Sequence, residues 1–170
     1  MAKKNAEIVK LQDDYDLILS GFVELLEQSR RLTARSVNAI MTATYWEIGR
    51  RIVEVEQKGE ERAEYGASLL KKLATDLTNR FGRGFSRQNL QQMRMFYLFW
   101  QTCQTLSGKS ADTQISKFSL AEVAQRFPLP WSHYVLLLSR KNENARKFYE
   151  DEALRGGWTV RQLIRKLSDF

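Results

Sequence analysis

Only two prolines, Pro128 and Pro130, and nine glycines interrupt the 170 residues of this chain. Proline removes a backbone donor and glycine favours turns, so their scarcity leaves long stretches that can close helical hydrogen bonds without a break. Apolar residues in those stretches recur at three- and four-residue steps. Tyr15, Ile18, Leu19, Phe22, Leu25 and Leu26 do so between Asp13 and Ser29, the spacing of one buried helix face. Thr33 is placed to cap a second helix, 33–58, on which Val37, Met41, Tyr45, Ile48, Ile52 and Val55 form one stripe. That helix would span roughly 30 Å or more, long for so small a chain.

The same spacing predicts a helix over 64–81, with Tyr65, Leu69, Leu73, Leu77 and Phe81 on one face and a stop at Gly82 or Gly84. Ser86 then stands where an N-cap belongs, before a helix over 86–102 on which Leu90, Met93, Phe96, Tyr97 and Trp100 share a face. Shorter helices are expected from Ser119, from Pro130 as a first helical residue, through the run that ends at Gly156 and Gly157, and from Thr159. The expected fold is all-α with seven or eight helices. It comprises a flexible N-terminus over 1–12, a single domain over 13–170, and a loop or wing over 104–118.

A composition of 43% hydrophobic and 28% charged residues is that of a globular chain. No apolar run reaches the length of a membrane span, and the basic N-terminus is followed by LQDDYDL instead of the apolar core of a signal peptide. The single cysteine, Cys103, cannot make an intrachain disulfide, so a reducing cytoplasm is the simplest setting. The formal net charge is +7. It is concentrated in residues 61–110, where 8 Lys and Arg stand against 3 Asp and Glu. Between Asp76 and Asp112 there is no acidic residue at all. A one-signed stretch of this kind suits a negative partner, and nucleic acid is the first candidate.

The two helices around the glycine-containing turn, 64–102, have the grammar of a helix-turn-helix. The second can bury its aromatic face while its first turns present Ser86, Arg87, Asn89, Gln91 and Arg94. Arginine pairs with guanine or phosphate, and Asn and Gln bridge adenine. Arg87, Gln91 and Arg94 follow one face and would meet the groove; Lys71, Lys72, Arg80 and Arg83 would hold phosphates. A carboxylate there would repel DNA, which accounts for the acid-free run. The plainer alternative is an αα-hairpin whose polar face meets only water.

Catalytic and metal chemistry find little support. SGKS at 107–110 has Cys103 where a phosphate-binding loop needs its first glycine. Glu56-Gln57-Lys58 resembles the acid-x-Lys piece of metal-dependent nucleases, but it ends an amphipathic helix and not a strand. His133 is the one histidine, so no histidine metal cluster is expected. Cys103 reads as a small helix residue and not half of a dyad with His133. Trp46, Trp100, Trp131 and Trp158 fall at helical apolar positions and read as core anchors. No cofactor, no metal site and no catalytic residue is expected.

The stretches SVNAIMTATYWEIGRRIVE, AEYGASLLKKLATDL, GFSRQNLQQMRMFY, LPWSHYVLLL and ARKFYEDEALRGGWTVRQLIRKL occur here in one order. In these stretches the chain resembles the N-terminal domain of YhcG-like bacterial proteins, over about residues 15–170. That resemblance implies a helical, winged-helix-like DNA-binding unit that precedes a PD-(D/E)XK nuclease domain. The sequence ends at Phe170, where the nuclease half would begin. The expectation is therefore a non-catalytic DNA-targeting part of a nuclease, covalently linked to the nuclease domain in full-length relatives. The competing expectation is an oligomerisation module that pairs copies through helix 33–58.

Overall fold

The computed structural model describes residues 2–58, 63–101 and 119–168. Seven helices and no strand form among the described residues: α1 (Ala2–Lys58), α2 (Ala63–Phe81), α3 (Arg87–Phe99), α4 (Leu120–Ala124), α5 (Trp131–Leu137), α6 (Glu143–Gly156) and α7 (Val160–Ser168). The fold is all-α. The loop or wing expected over 104–118, and Cys103 with it, lies outside the described residues.

The largest departure from the sequence reading is at the start. Residues 2–58 form one 57-residue helix and not a flexible tail followed by two helices. Thr33 does not cap a second helix; its hydroxyl donates to the Ser29 carbonyl one turn back, at 2.9 Å, as an interior helical threonine does. Nothing between Ser29 and Thr33 removes a backbone donor, so the helix has no reason to stop. The chain divides into two units, Met1–Val37 and Asn38–Phe170, within the span read from sequence as one domain. In the first unit every described side chain from Asp14 to Val37 is exposed.

The second unit holds the core. Phe96 and Tyr134 are fully buried, and their ring centroids lie 4.9 Å apart, tilted; Phe127 and Trp100 pack on the same pair. Trp46 meets Tyr97 edge-on at 5.1 Å, which joins α1 to α3. Such tilted and edge contacts suit the aromatic quadrupole. A smaller cluster, Ile52, Leu70, Leu90 and Met93, joins α1, α2 and α3. Tyr45 and Ile48 pack against it, so three of the residues expected to form an intermolecular seam line the monomer's own core. Val37, Met41 and Val55 of the same stripe remain exposed.

Gly49 decides how closely α1 and α3 can lie. A Cβ at this position would fall 2.0 Å from the Met93 carbonyl oxygen, far inside van der Waals contact. The backbones can meet here only because there is no side chain.

The caps follow the sequence. Ser119 and Glu122 form a reciprocal capping box at α4, the Asn142 side chain accepts from Ala145 N at α6, and Gly157 ends α6 at φ 58°. Thr159 and Gln162 exchange hydrogen bonds at the start of α7. Pro130 is the residue before the first turn of α5 and not within it. Polar groups are also built into the core, His133 and Glu150 among them. His133 Nε2 donates to the Trp158 carbonyl at 2.7 Å, a structural use for the lone histidine. Glu150 accepts from Tyr134 Oη at 2.7 Å and Trp100 Nε1 at 3.1 Å. Burial pushes its carboxyl above the ordinary range, and these two hydrogen bonds only partly oppose that.

Two outcomes follow. Gly49→Ala, which would favour an ordinary helix interior, should here cost about 1–3 kcal/mol or more in urea unfolding because the methyl overpacks a backbone contact. Glu150 binds its proton more tightly in the folded chain than in the unfolded one. Stability should therefore fall as pH rises from the ordinary 4.5 of a glutamate through the raised folded value. Urea unfolding of the parent and of Glu150→Gln between acid and neutral pH should show that slope in the parent alone.

Candidate nucleic-acid interface

The candidate interface is built on α2, the turn 82–86 and α3. Gly82 at φ 79° and Gly84 at φ 115° hold backbone shapes that side chains rarely adopt, so the turn needs both glycines. Gly82 N donates to the Thr78 carbonyl at 2.9 Å and closes α2. Ser86 is the N-cap of α3, as its sequence position requires, with Oγ accepting from Asn89 N at 3.2 Å. Phe85 reaches the smaller core cluster, while Phe81 is 68% exposed beside it, ring centroids 5.9 Å apart.

One side of α3 is entirely core: Leu90, Met93 and Phe96 are fully buried and Tyr97 nearly so. The helix must therefore turn its other side outward. Arg87, Gln88 and Gln91 are exposed there and, with the half-buried Gln92, line one shallow surface depression. Lys71, Lys72 and Arg80 on α2 and Arg83 in the turn are exposed as well.

Two of the sequence candidates have other employment. The Asn89 amide donates to the Gly84 carbonyl and accepts from Trp131 Nε1 at 3.0 Å. It pins the turn to α5. Arg94 does share the α3 face with Arg87 and Gln91, but its Nε lies 2.6 Å from Glu56 Oε2 at the end of α1, and both side chains are largely covered. The acid-free run in the sequence is thus not acid-free in space, because α1 delivers a carboxylate to it. Asp76 is a second qualification: exposed on α2, it lies one helical turn from both Lys72 and Arg80.

Sequence reasoning missed three participants. Gln88 was passed over although it sits one residue from Arg87. Trp131 was read chiefly as a core anchor, and its hydrogen bond to Asn89 was not foreseen. Glu56 was weighed only as a metal ligand; the small residue Gly66, whose Cβ would stand 3.1 Å from Glu56 Oε1, marks the close passage of α2 past that carboxylate. Nearby on α1, Glu47 is held below its ordinary pKa: burial pushes it up, but hydrogen bonds from Arg50 and Arg51 outweigh that. Among the described residues no group of three or more His, Cys, Asp or Glu is placed to hold a metal ion, and no helix is long and apolar enough to cross a membrane.

An all-α domain with a glycine-turned helical pair and a polar, cation-bearing outer face is the class that these observations define. Residues 22–169 match the family model described as the DUF1016 N-terminal domain, and the chain belongs to that family. Over 167 residues it is 53% identical to a protein of Escherichia coli (strain K12) that carries the name "Putative nuclease YhcG". The match covers 91% of this chain and 44% of that protein, so the chain spans less than half the length of its relative. No solved structure matches the chain.

The Glu56–Arg94 pair should act through the fold. Glu56→Gln leaves a largely covered guanidinium without its counter-charge and should lower stability by about 1–3 kcal/mol, measured by chemical denaturation. Arg94→Ala should cost a similar amount, and the double substitution should cost less than the sum of the two.

Proposed function

We propose that this chain is the DNA-binding, non-catalytic part of a YhcG-like nuclease, working in the cytoplasm and engaging DNA through the outward face of α3. The observation that carries the reading is the set of Arg87, Gln88 and Gln91. They stand exposed on the first turns of a helix whose opposite face is locked in the core. A helix mounted this way can enter a major groove without reordering its own packing. Arg87 lies in the first turn, where free backbone N–H groups add to its charge, so it suits a phosphate or a guanine edge. Gln88 and Gln91 suit base edges. Lys71, Lys72, Arg80 and Arg83 supply the sequence-independent attraction, with Lys72 and Arg80 moderated by Asp76. The name carried by the Escherichia coli relative, "Putative nuclease YhcG", agrees with a nucleic-acid partner.

The competing reading, assembly through helix 33–58, loses its main support. Ile52 is 4% exposed, and it packs with Leu70, Leu90 and Met93. Tyr45, Ile48 and Ile52 of its stripe already pack within the chain, and Val37, Met41 and Val55 stay exposed.

The test is a DNA-binding titration at several salt concentrations. Arg87→Ala with Gln91→Ala should leave folding within about 0.5 kcal/mol of the parent, since both are surface positions. Affinity should fall. Loss of one phosphate contact should flatten the slope of log K against log salt by about 0.9, whereas loss of a base contact should cost about 1–3 kcal/mol at its own site. Arg155→Ala on α6 serves as the control and should change neither quantity. A double variant with unchanged affinity and slope would exclude α3 as the reader.

A further inference from the structure

The first unit carries an apolar face that the chain itself leaves uncovered. Tyr15, Ile18, Leu19, Phe22, Leu25, Leu26 and Leu32 are all between 45% and 63% exposed. Isolated helices in water are marginal, and most helical stability comes from covering an apolar face. In heptad terms Tyr15 and Phe22 fall at position a, Ile18, Leu25 and Leu32 at d, and Leu19 and Leu26 at e; Val23 widens the e side, and Leu17 lies off the stripe. Carried on in sequence, the same a and d positions reach Ala43, Trp46 and Val53, all buried in the second unit. The seam that finds partners there has none in residues 15–32.

Charge identifies the partner. Residues 11–29 contain five acids, Asp13, Asp14, Asp16, Glu24 and Glu27, and no Lys or Arg. Residues 30–46 contain three arginines, Arg30, Arg31 and Arg35, and no Asp or Glu. Two such segments laid parallel would set acid against acid and arginine against arginine. Laid antiparallel with Phe22 and Leu25 at the centre, Asp14 and Asp16 of each copy come opposite the Arg30–Arg35 stretch of the other, while Glu24 and Glu27 lie near the middle. We propose that residues 15–32 pair with the same segment of a second copy as an antiparallel, two-fold helical seam. In that register Tyr15 meets Leu32 of the second copy, Phe22 meets its Leu25, and Asp14 at the flank comes within reach of its Arg35. A two-fold contact of this kind is self-complementary and closes on itself. The charge pattern sets orientation, and the apolar seam supplies the affinity.

The test uses the full chain. Sedimentation equilibrium at micromolar concentration should give twice the chain mass of 19.9 kDa. Phe22→Glu with Leu25→Glu should give the single-chain mass with the unfolding transition of the second unit kept, because both side chains are exposed within one copy and lie outside that unit. Orientation is read from disulfides in a Cys103→Ser background. Asp14→Cys mixed with Arg35→Cys should give the mixed cross-linked dimer on oxidation, and Asp14→Cys alone should stay uncross-linked. If the glutamate pair unfolds the chain, the cross-linking result decides. A monomeric parent overturns the proposal and leaves the face to some other occupant. A dimer that survives the glutamate pair, or Asp14→Cys linking to itself, overturns it equally.

Discussion

The second unit depends on one backbone approach, α1 against α3 at Gly49 and Met93. Helices separated by ordinary side chains sit about 8–10 Å apart. With no Cβ at Gly49, the α1 backbone comes onto the Met93 carbonyl itself. That closeness sets the reach of everything around it. Trp46 can meet Tyr97 one turn before the crossing, and Glu56 can reach Arg94 two turns after it. Ile52 falls between them, against Met93 and Leu90. A side chain at residue 49 would push apart an aromatic contact, an apolar cluster and an ion pair together.

From this contact the orientation of α3 follows. One face is committed to α1, α2 and α5, so the other has no alternative to water or a partner. The Asn89 bridge from Gly84 to Trp131 fixes the turn to the same framework. Arg94 completes the anchoring from the far end. What remains outward is a short polar set, Arg87, Gln88 and Gln91, the face proposed to meet DNA. A recognition surface held this way needs little ordering on binding.

Much of this was legible in the sequence, and the rest was hidden for identifiable reasons. The α3 face Leu90, Met93, Phe96, Tyr97 and the Ser86 cap could be read because both are local: period and spacing determine them. The turn glycines were legible for the same reason. The partnership of Arg94 with Glu56 was not, since 38 positions separate them and only the crossing at Gly49 brings them together. Asn89 carries the residue type of a base reader, yet a tryptophan 42 positions away claims its oxygen. Thr33 fits an N-cap by type, but a cap also requires the preceding turn to unwind, and nothing there forces it. Ile52 and Phe22 look alike as apolar helical positions. Only the fold shows that Ile52 is covered within the chain and Phe22 is not.

The central claim is that α3 presents a mounted recognition face to DNA. Backbone amide NMR of the full chain during titration with a short DNA duplex at low salt tests this residue by residue. Shift changes should concentrate on residues 83–92, with smaller ones at Lys71, Lys72 and Arg80, while α5, α6 and α7 stay unmoved. Changes centred on α6 or α7, or spectra that do not respond to DNA at all, would contradict it.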